Sequence, residues 1–114
     1  MKKINIIKKE QEFTEIINNC SYRKNPYFVI YYRKNDKYNR YGISVPKKTG
    51  KANIRNKVKR QVKNIIDIHE KNIKNPYDYV IIIRKRLIEL TYHQIEENLI
   101  NLMNKIGEKN EEKN

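Results

Sequence analysis

Every residue of the segment 27–32 is apolar or aromatic. Because successive side chains of a β-strand point to opposite faces of a sheet, neither face of such a strand is simply left to solvent. The run 79–83 has the same character, and it is strand-sized, well short of the roughly 20 residues that a membrane span needs. These two segments predict a sheet with other elements packed on it.

Helical and strand patterns alternate along the chain. Apolar side chains at helical spacing predict helices over 9–19, 54–72 and 92–106. Residues rich in β-branched and aromatic side chains predict strands over 27–33, 40–45 and 77–84. The order α-β-β-(β)-α-β-α is typical of a small α/β (α+β) two-layer sandwich with a mixed sheet.

The chain is predicted to form one domain over residues 1–114. Asn53 and Thr91 are predicted as the N-caps of the second and third helices, and residues 21–26 are interpreted as a polar connection. Residues 1–8 are expected to form a flexible basic arm and residues 108–114 a frayed tail.

The cysteine content excludes several classes of protein. Cys20 is the only cysteine, so a disulfide framework and a cysteine-based zinc site are ruled out, and a reducing, cytoplasmic location fits. The basic N-terminus is followed by no signal-peptide pattern, and we expect no membrane partner. Gly50 stands alone rather than in a phosphate-cradling glycine loop, so we expect no small-molecule cofactor.

The positive charge is concentrated in one part of the chain. The net charge is +13, and residues 33–63 carry twelve basic residues against Asp36 alone. A solvated lysine-rich surface would spread its charge evenly, whereas concentration of one sign usually marks a polyanionic partner. Nucleic acid is therefore favoured over an anionic membrane surface and over a merely solvated surface.

The second predicted helix arranges these cations on one side. A helical projection places Ile54, Val58, Val62, Ile65 and Ile66 on a core stripe. Beside it, Arg55, Lys59 and Lys63 form a row at i, i+4 and i+8. Each like-charge pair costs a few tenths of a kcal/mol, and cations in the first turn oppose the helix dipole. An external anion, with phosphate as the best candidate, explains a helix built this way.

Nothing in the sequence predicts a catalytic site in the protein. His69 and His93 are the only histidines, and neither has an evident acid–base partner or belongs to a cluster with metal-ligand spacing. We therefore expect no catalytic residue and no metal held by the protein.

The segment from Gly42 to Arg60 resembles the bacterial ribonuclease P protein component, which carries a Ser-x-x-Lys-Lys-x-Gly-x-Ala loop before a helix with an Arg-Asn-Arg-x-x-Lys-Arg-like signature. The matching residues here are Ser44, Lys47, Lys48, Gly50, Ala52, Arg55, Asn56, Lys59 and Arg60. Phe13, the strands 28–31 and 78–84, and the entry to the last helix at 90–92 also look like the family. Departures are Lys57 and Lys63 where arginine is usual, Asn53 for an apolar residue, and Ile17 where an aromatic residue is frequent.

The resemblance implies a specific role. The chain would be the protein subunit of a ribozyme that removes the 5′ leader from precursor tRNA, with the RNA subunit performing the hydrolysis with Mg²⁺. It also implies a left-handed crossover between parallel strands. The residues implied to bind the RNA subunit are Lys47, Lys48, Lys51, Arg55, Asn56, Lys57, Lys59, Arg60 and Lys63. Those implied to line a cleft for the single-stranded leader are Phe13, Ile17, Tyr31 and Ser44.

Physical reasoning supports such a cleft, because single strands bind to stacking platforms beside positive charge. Phe28 and Tyr31 have opposite parity on a regular strand, so one of them is expected in the core, and we predict that Tyr31 faces the cleft with Phe13 as its helix neighbour. A generic ribosomal or structured-RNA binding protein is the alternative, and a stand-alone nuclease using His69 or His93 is a third.

Overall fold

The computed structural model describes residues 4–19, 21–106 and 112–113. These residues form three α-helices: α1 (Glu10–Asn19), α2 (Ala52–His69) and α3 (Tyr92–Asn104). They also form five strands: β1 (Ser21–Lys24), β2 (Phe28–Lys34), β3 (Arg40–Ser44), β4 (Tyr77–Ile83) and β5 (Glu112–Lys113). Short 3-10 turns cover Lys47–Thr49, Glu70–Asn72 and Lys85–Glu89. The predicted mixed sheet and its helices are confirmed.

The sheet has the strand order β3-β4-β2-β1-β5. β3 and β4 are parallel neighbours, and the other pairs are antiparallel. The link between the parallel strands contains α2, which makes a βαβ crossover. The left hand of this crossover stays a prediction from the family resemblance.

The main core lies between α2, α3 and one face of the sheet. β2 contributes Phe28, Ile30 and Tyr32, and β4 contributes Tyr79 among others, all of them buried. The Tyr79 ring stacks on Tyr41 from β3 with a centroid separation of 5.4 Å. Each fully buried apolar side chain of this size contributes about 1.5–3 kcal/mol, so this face supplies most of the hydrophobic stabilisation.

The other face of the sheet packs against α1. Ile7, Ile16 and Val80 form a smaller buried cluster there, with Tyr31 and Ile82 partly buried beside it. Both faces of β2 and β4 are therefore in contact with other elements, as their two-sided apolar pattern predicts. On the α1 side, Phe13, Ile17, Tyr31 and Ile82 remain partly accessible.

The helix caps agree only in part with the predictions. Thr91 caps α3 in a capping box with Gln94, as predicted for the cap residue. The N-cap of α2 is Lys51 rather than Asn53, and it makes no side-chain cap hydrogen bond. The first intrahelical bond runs from the Arg55 amide to the Lys51 carbonyl, which places Asn53 inside the first turn. α2 ends at His69, and a 3-10 turn follows it to Asn72.

The predicted basic arm is wrong over its described part, residues 4–8. Ile7 is buried, and its amide donates to the Tyr41 carbonyl over 2.8 Å, while the Tyr41 amide donates to the Asn5 carbonyl over 2.8 Å. Backbone pairing with β3 and burial of one isoleucine order this segment despite its charge.

Two segments that were predicted to lack regular secondary structure form strands instead. Residues 21–24, predicted as a connection, form β1 by pairing along β2, although their side chains show no apolar alternation. In the predicted frayed tail, Glu112–Lys113 pairs with β1 as β5. Residues 1–3, Cys20, the predicted helix end at Gly107 and the rest of the tail lie outside the described residues.

Candidate nucleic-acid interface

The buried stripe of α2 leaves its cations on the outer side. Val58, Val62, Ile65 and Ile66 are buried, as the helical projection predicts. Ile54 is not part of this stripe, because its side chain is 37% exposed in the first turn of the helix. It lies instead in a shallow groove between the start of α2, the Lys85–Glu89 turn and α3.

The predicted RNA-binding cations lie together on this surface. Lys59, Arg60 and Lys63 are exposed on α2, together with Asn56 and Lys57. Among the ion pairs formed by the described residues, none involves a lysine or arginine of α2. Residues 37–66 contain no acidic residue, so no carboxylate of this segment neutralises the positive charge of the α2 surface.

The loop before α2 is built as an extension of the same surface. Its 3-10 turn buries Thr49 and leaves Lys47, Lys48 and Lys51 exposed. Arg55 Nε donates to the Gly50 carbonyl over 3.1 Å and so ties the helix to the loop. Arg55 is therefore half-buried and partly used in the fold, unlike the exposed cations further along α2.

The α1 side of the sheet carries the predicted leader residues. Phe28 is fully buried in the main core, whereas Tyr31 is half-buried on the α1 side, as predicted from strand parity. Phe13, Ile17 and Tyr31 pack in one cluster. The Tyr31 ring also lies 5.4 Å from Tyr22, centroid to centroid, at a tilt of 41°.

The register of the strands arranges the side chains on this face of the sheet in rows. Residues directly opposite one another in neighbouring strands share a face of the sheet. One row runs through Gly42, Val80, Tyr31 and Tyr22, and the next through Ser44, Ile82, Val29 and Lys24. Ser44 thus lies beside the cluster rather than in it. We refer to these two rows as the sheet floor.

The contact between Phe13 and Gly42 fixes α1 on this floor. A Cβ atom at Gly42 would lie 2.4 Å from the ring of Phe13, closer than real contacts permit. The ring therefore occupies the space that any other residue at position 42 would fill. The sequence offers no direct sign of this contact, because Gly42 resembles any glycine within a strand.

An ion network around the buried carboxylate of Asp78 holds the same helix from its polar side. The Asp78 carboxylate, only 1% exposed, accepts hydrogen bonds from Arg33 and Arg40. Arg40 also pairs with Glu12 over 2.9 Å, and Arg33 pairs with Glu15 over 2.6 Å, so both arginines bridge the sheet to α1. Two cations from the strongly basic segment 33–63 thus serve the fold.

The network shifts the ionisation of its carboxyl groups. Burial opposes ionisation of Asp78, but hydrogen bonds from Arg40, Arg33 and Asn35 outweigh it, and the pKa of Asp78 lies below its ordinary value. The hydrogen bond from Arg40 lowers the pKa of Glu12 in the same way. Both carboxylates therefore stay charged at neutral pH.

The two histidines lie apart from the sheet floor. His69 Nε2 lies 2.8 Å from Glu96 Oε2 and so joins α2 to α3, and His93 is exposed with its Nδ1 3.8 Å from the same carboxylate. No group of three or more potential ligands among residues 4–19, 21–106 and 112–113 could hold a metal ion. None of the helices in the described part of the chain has the length and apolar character to cross a bilayer.

Comparison with known proteins identifies the family. The sequence model of the family described as Ribonuclease P matches residues 1–107. The chain belongs to the ribonuclease P family. A ribonuclease P protein component from Mesoplasma florum is 48% identical over 105 residues, covering 90% of this chain and 96% of the relative. One from Streptococcus agalactiae serotype III is 39% identical over 108 residues, covering 94% and 98%.

Solved structures of ribonuclease P proteins share the fold. The RNase P protein from Thermotoga maritima is 34% identical, with a TM-score of 0.83 over 93% of this chain and 98% of that one. The RNase P protein of Staphylococcus aureus is 33% identical, with a TM-score of 0.82 over 90% and 94%. The predicted function as a protein subunit of ribonuclease P in tRNA processing is confirmed, and the generic RNA-binding alternative is not favoured.

Proposed function

We propose that this subunit binds the ribonuclease P RNA through α2 and the loop before it. The observation that carries the proposal is the set of exposed cations on α2 and its loop with no carboxylate partner among the described residues. Lysine and arginine at this density neutralise phosphates and release counterions, which provides affinity without base specificity. The predicted contact residues are Lys47, Lys48, Lys51, Arg55, Asn56, Lys57, Lys59, Arg60 and Lys63.

We propose that the sheet floor binds the single-stranded 5′ leader of precursor tRNA. The partly accessible ring of Tyr31 offers a stacking platform, with Phe13 and Ile17 as the wall on the α1 side and Ser44 as a hydroxyl partner. Base–aromatic stacking is tolerant of sequence, which suits a leader that differs between tRNAs.

The RNA subunit is proposed to perform the hydrolysis with Mg²⁺ that it holds itself. In this assignment the protein binds and orients RNA, and none of its side chains is catalytic. The separation of His69 and His93 from the sheet floor supports this division of labour. The same proposal locates the protein in the cytoplasm with its partner RNAs.

The decisive experiment is cleavage of a precursor tRNA by a bacterial ribonuclease P RNA at low Mg²⁺, with and without this protein. We expect strong stimulation at the mature 5′ end and no cleavage by the protein alone. Tight RNA binding without stimulation would contradict the proposal. Cleavage by the protein alone that is lost in His69→Ala or His93→Ala would establish a nuclease instead.

The residue assignment has its own test in the salt dependence of RNA binding. Lys59→Ala and Arg60→Ala should each weaken binding of the ribonuclease P RNA. Each should also flatten the slope of the logarithm of the association constant against the logarithm of the salt concentration by about one unit. The effect should be the same whatever the leader sequence of the precursor tRNA. Lys71→Ala is a matched control, because Lys71 is exposed but lies in the turn after α2. An unchanged slope in both α2 variants would remove this face from the RNA interface.

A further inference from the structure

A second cation-lined cleft lies on a different part of the molecule, where β1 meets α3. Its volume is about 420 Å³. Arg23 and Lys24 of β1 contribute to one wall, and Asn98, Asn101 and Lys105 to the other. In the sheet order, β4 and β2 separate β1 from β3, which leads into the loop before α2. None of the residues proposed above to bind the RNA subunit lines this cleft, and Lys24 is the one residue of the sheet floor that does.

The unusual group in this cleft is the Arg23 guanidinium. Its Nε and Nη2 atoms are shielded from solvent and have no hydrogen-bond partner within the described residues. Arg23 lies opposite Ile30, a core residue, which places Arg23 on the α3 side of the sheet. Leaving charged donors buried and unpaired is unfavourable, so a rotation of the side chain that brings these donors to an anion in the cleft would stabilise the protein.

The surroundings of Arg23 match an anionic ligand. Lys24 and Lys105 line the same cleft, and no carboxylate does so in the described part of the chain. The side-chain amide of Asn25 donates to the backbone carbonyl of Asn98 over 3.3 Å, which ties the chain after β1 to α3. The negative end of the α3 dipole is nearby, and Lys105 at the C-cap offsets it.

We propose that this cleft binds a phosphodiester group of RNA, with Arg23 as the planar fork and Lys105 as the point charge. The inference rests on the proposed function, because it adds a contact to the same RNAs. Lys24 connects the two surfaces, since it lines the cleft and also ends the second row of the sheet floor. A leader lying across the floor from β3 reaches Lys24 after three strand spacings, about 14 Å.

The test uses Arg23→Gln and Lys105→Gln in the full chain. As a matched control, Lys37→Gln and Lys71→Gln remove exposed charges that do not line the cleft. One arm measures affinity for the ribonuclease P RNA against salt. The other measures affinity of the holoenzyme for precursor tRNAs with long and short leaders. We expect each cleft variant to weaken binding about tenfold and to flatten the salt slope by about one unit in one arm.

The arm that responds identifies the source of the phosphodiester. A loss confined to long leaders assigns it to the leader, and a loss with the RNA subunit alone assigns it to that subunit. If both cleft variants match the controls in both arms, the inference is overturned. Stabilisation of the folded protein by inorganic phosphate that Arg23→Gln abolishes, with RNA binding unchanged, also overturns it and leaves a site for free phosphate only.

Two further measurements keep the result unambiguous. Lys105 is exposed, so Lys105→Glu tests the cleft even if Arg23→Gln fails to fold, and it should weaken binding more than Lys105→Gln. Lys59→Ala is measured alongside. A normal loss in Lys59→Ala with no loss in the cleft variants contradicts the cleft alone, whereas no loss in either contradicts the proposed function itself.

Discussion

The ring of Phe13 lies directly on the backbone of Gly42, so that a Cβ atom at position 42 would be 2.4 Å from two of its carbons. This contact sets how closely α1 approaches the sheet. Because Tyr31 and Ile17 belong to the same cluster, the contact also sets the shape of the surface proposed for the leader. A glycine in a strand thus controls the position of a helix.

Gly42→Ala should destabilise the fold by about 1–3 kcal/mol, because an added methyl group in a filled space forces neighbours to move. Urea unfolding measures this loss. In a Phe13→Ala background the same substitution should cost much less, since the ring that it meets has been removed. Equal costs in both backgrounds would contradict the packing explanation.

Gly50→Ala provides the matched control for that experiment. A Cβ atom there would lie 3.3 Å from Ile54 Cγ2, and Ile54 is partly exposed and free to adjust. The φ of Gly50 is 162°, which is essentially extended backbone. We therefore expect a smaller loss than for Gly42→Ala in the same urea assay.

Tyr31→Ala should weaken binding of precursor tRNA more than binding of mature tRNA. Removing one stacked base costs about 1–3 kcal/mol, and only the precursor carries a leader. Affinities of the holoenzyme for the two RNAs measure the difference. Tyr38→Ala, at a tyrosine that is 52% exposed in the loop between β2 and β3, is the control and should change neither. Equal losses for both RNAs would remove Tyr31 from the leader surface.

Stability should fall in acid because of Asp78. Its folded pKa lies below the ordinary value of 3.8, so the stabilisation is complete above about pH 5 and is lost as the pH falls through the folded pKa. Asp78→Asn should cost about 3 kcal/mol at neutral pH, because it leaves Arg33 and Arg40 without their buried carboxylate.

Urea unfolding of both proteins between neutral pH and pH 3 checks this assignment. The variant should lose less stability in acid than the wild type, since it lacks the titrating group. The same acid dependence in both proteins would assign the effect to other carboxylates.

Thr91→Ala should destabilise the protein by about 1 kcal/mol, because the Thr91 hydroxyl accepts from the Gln94 amide at the start of α3. Thermal or urea unfolding measures the loss. Thr14→Ala is the control, since Thr14 is exposed within α1 and its hydroxyl only donates to the Glu10 carbonyl. A change within about 0.5 kcal/mol is expected there.

The strands and helices that the sequence predicts are those whose periodicity reflects burial. β2 and β4 follow from apolar side chains on both faces, and the parity of Phe28 and Tyr31 correctly places them on opposite faces of the sheet. The buried stripe of α2 follows in the same way, apart from Ile54, which lies in the first turn and is partly exposed.

The features that the sequence does not predict depend on long-range pairing. β1 is a strand because β2 supplies its hydrogen-bond partners, so its own side chains need not alternate and Tyr22 goes unrecognised. The buried position of Asp78 depends on the register of three strands, which brings Arg33 and Arg40 to one carboxylate. A single sequence carries no signal for either register.

The sheet keeps both of its edges occupied with its own chain. Residues 5–7 pair along β3 at one edge, and β5 pairs along β1 at the other. Backbone donors and acceptors there are partly used, so these edges resist adding strands from a neighbouring molecule. Deletion of residues 5–7 or 112–113 would therefore leave backbone groups of β3 or β1 open to pairing with a strand from another molecule.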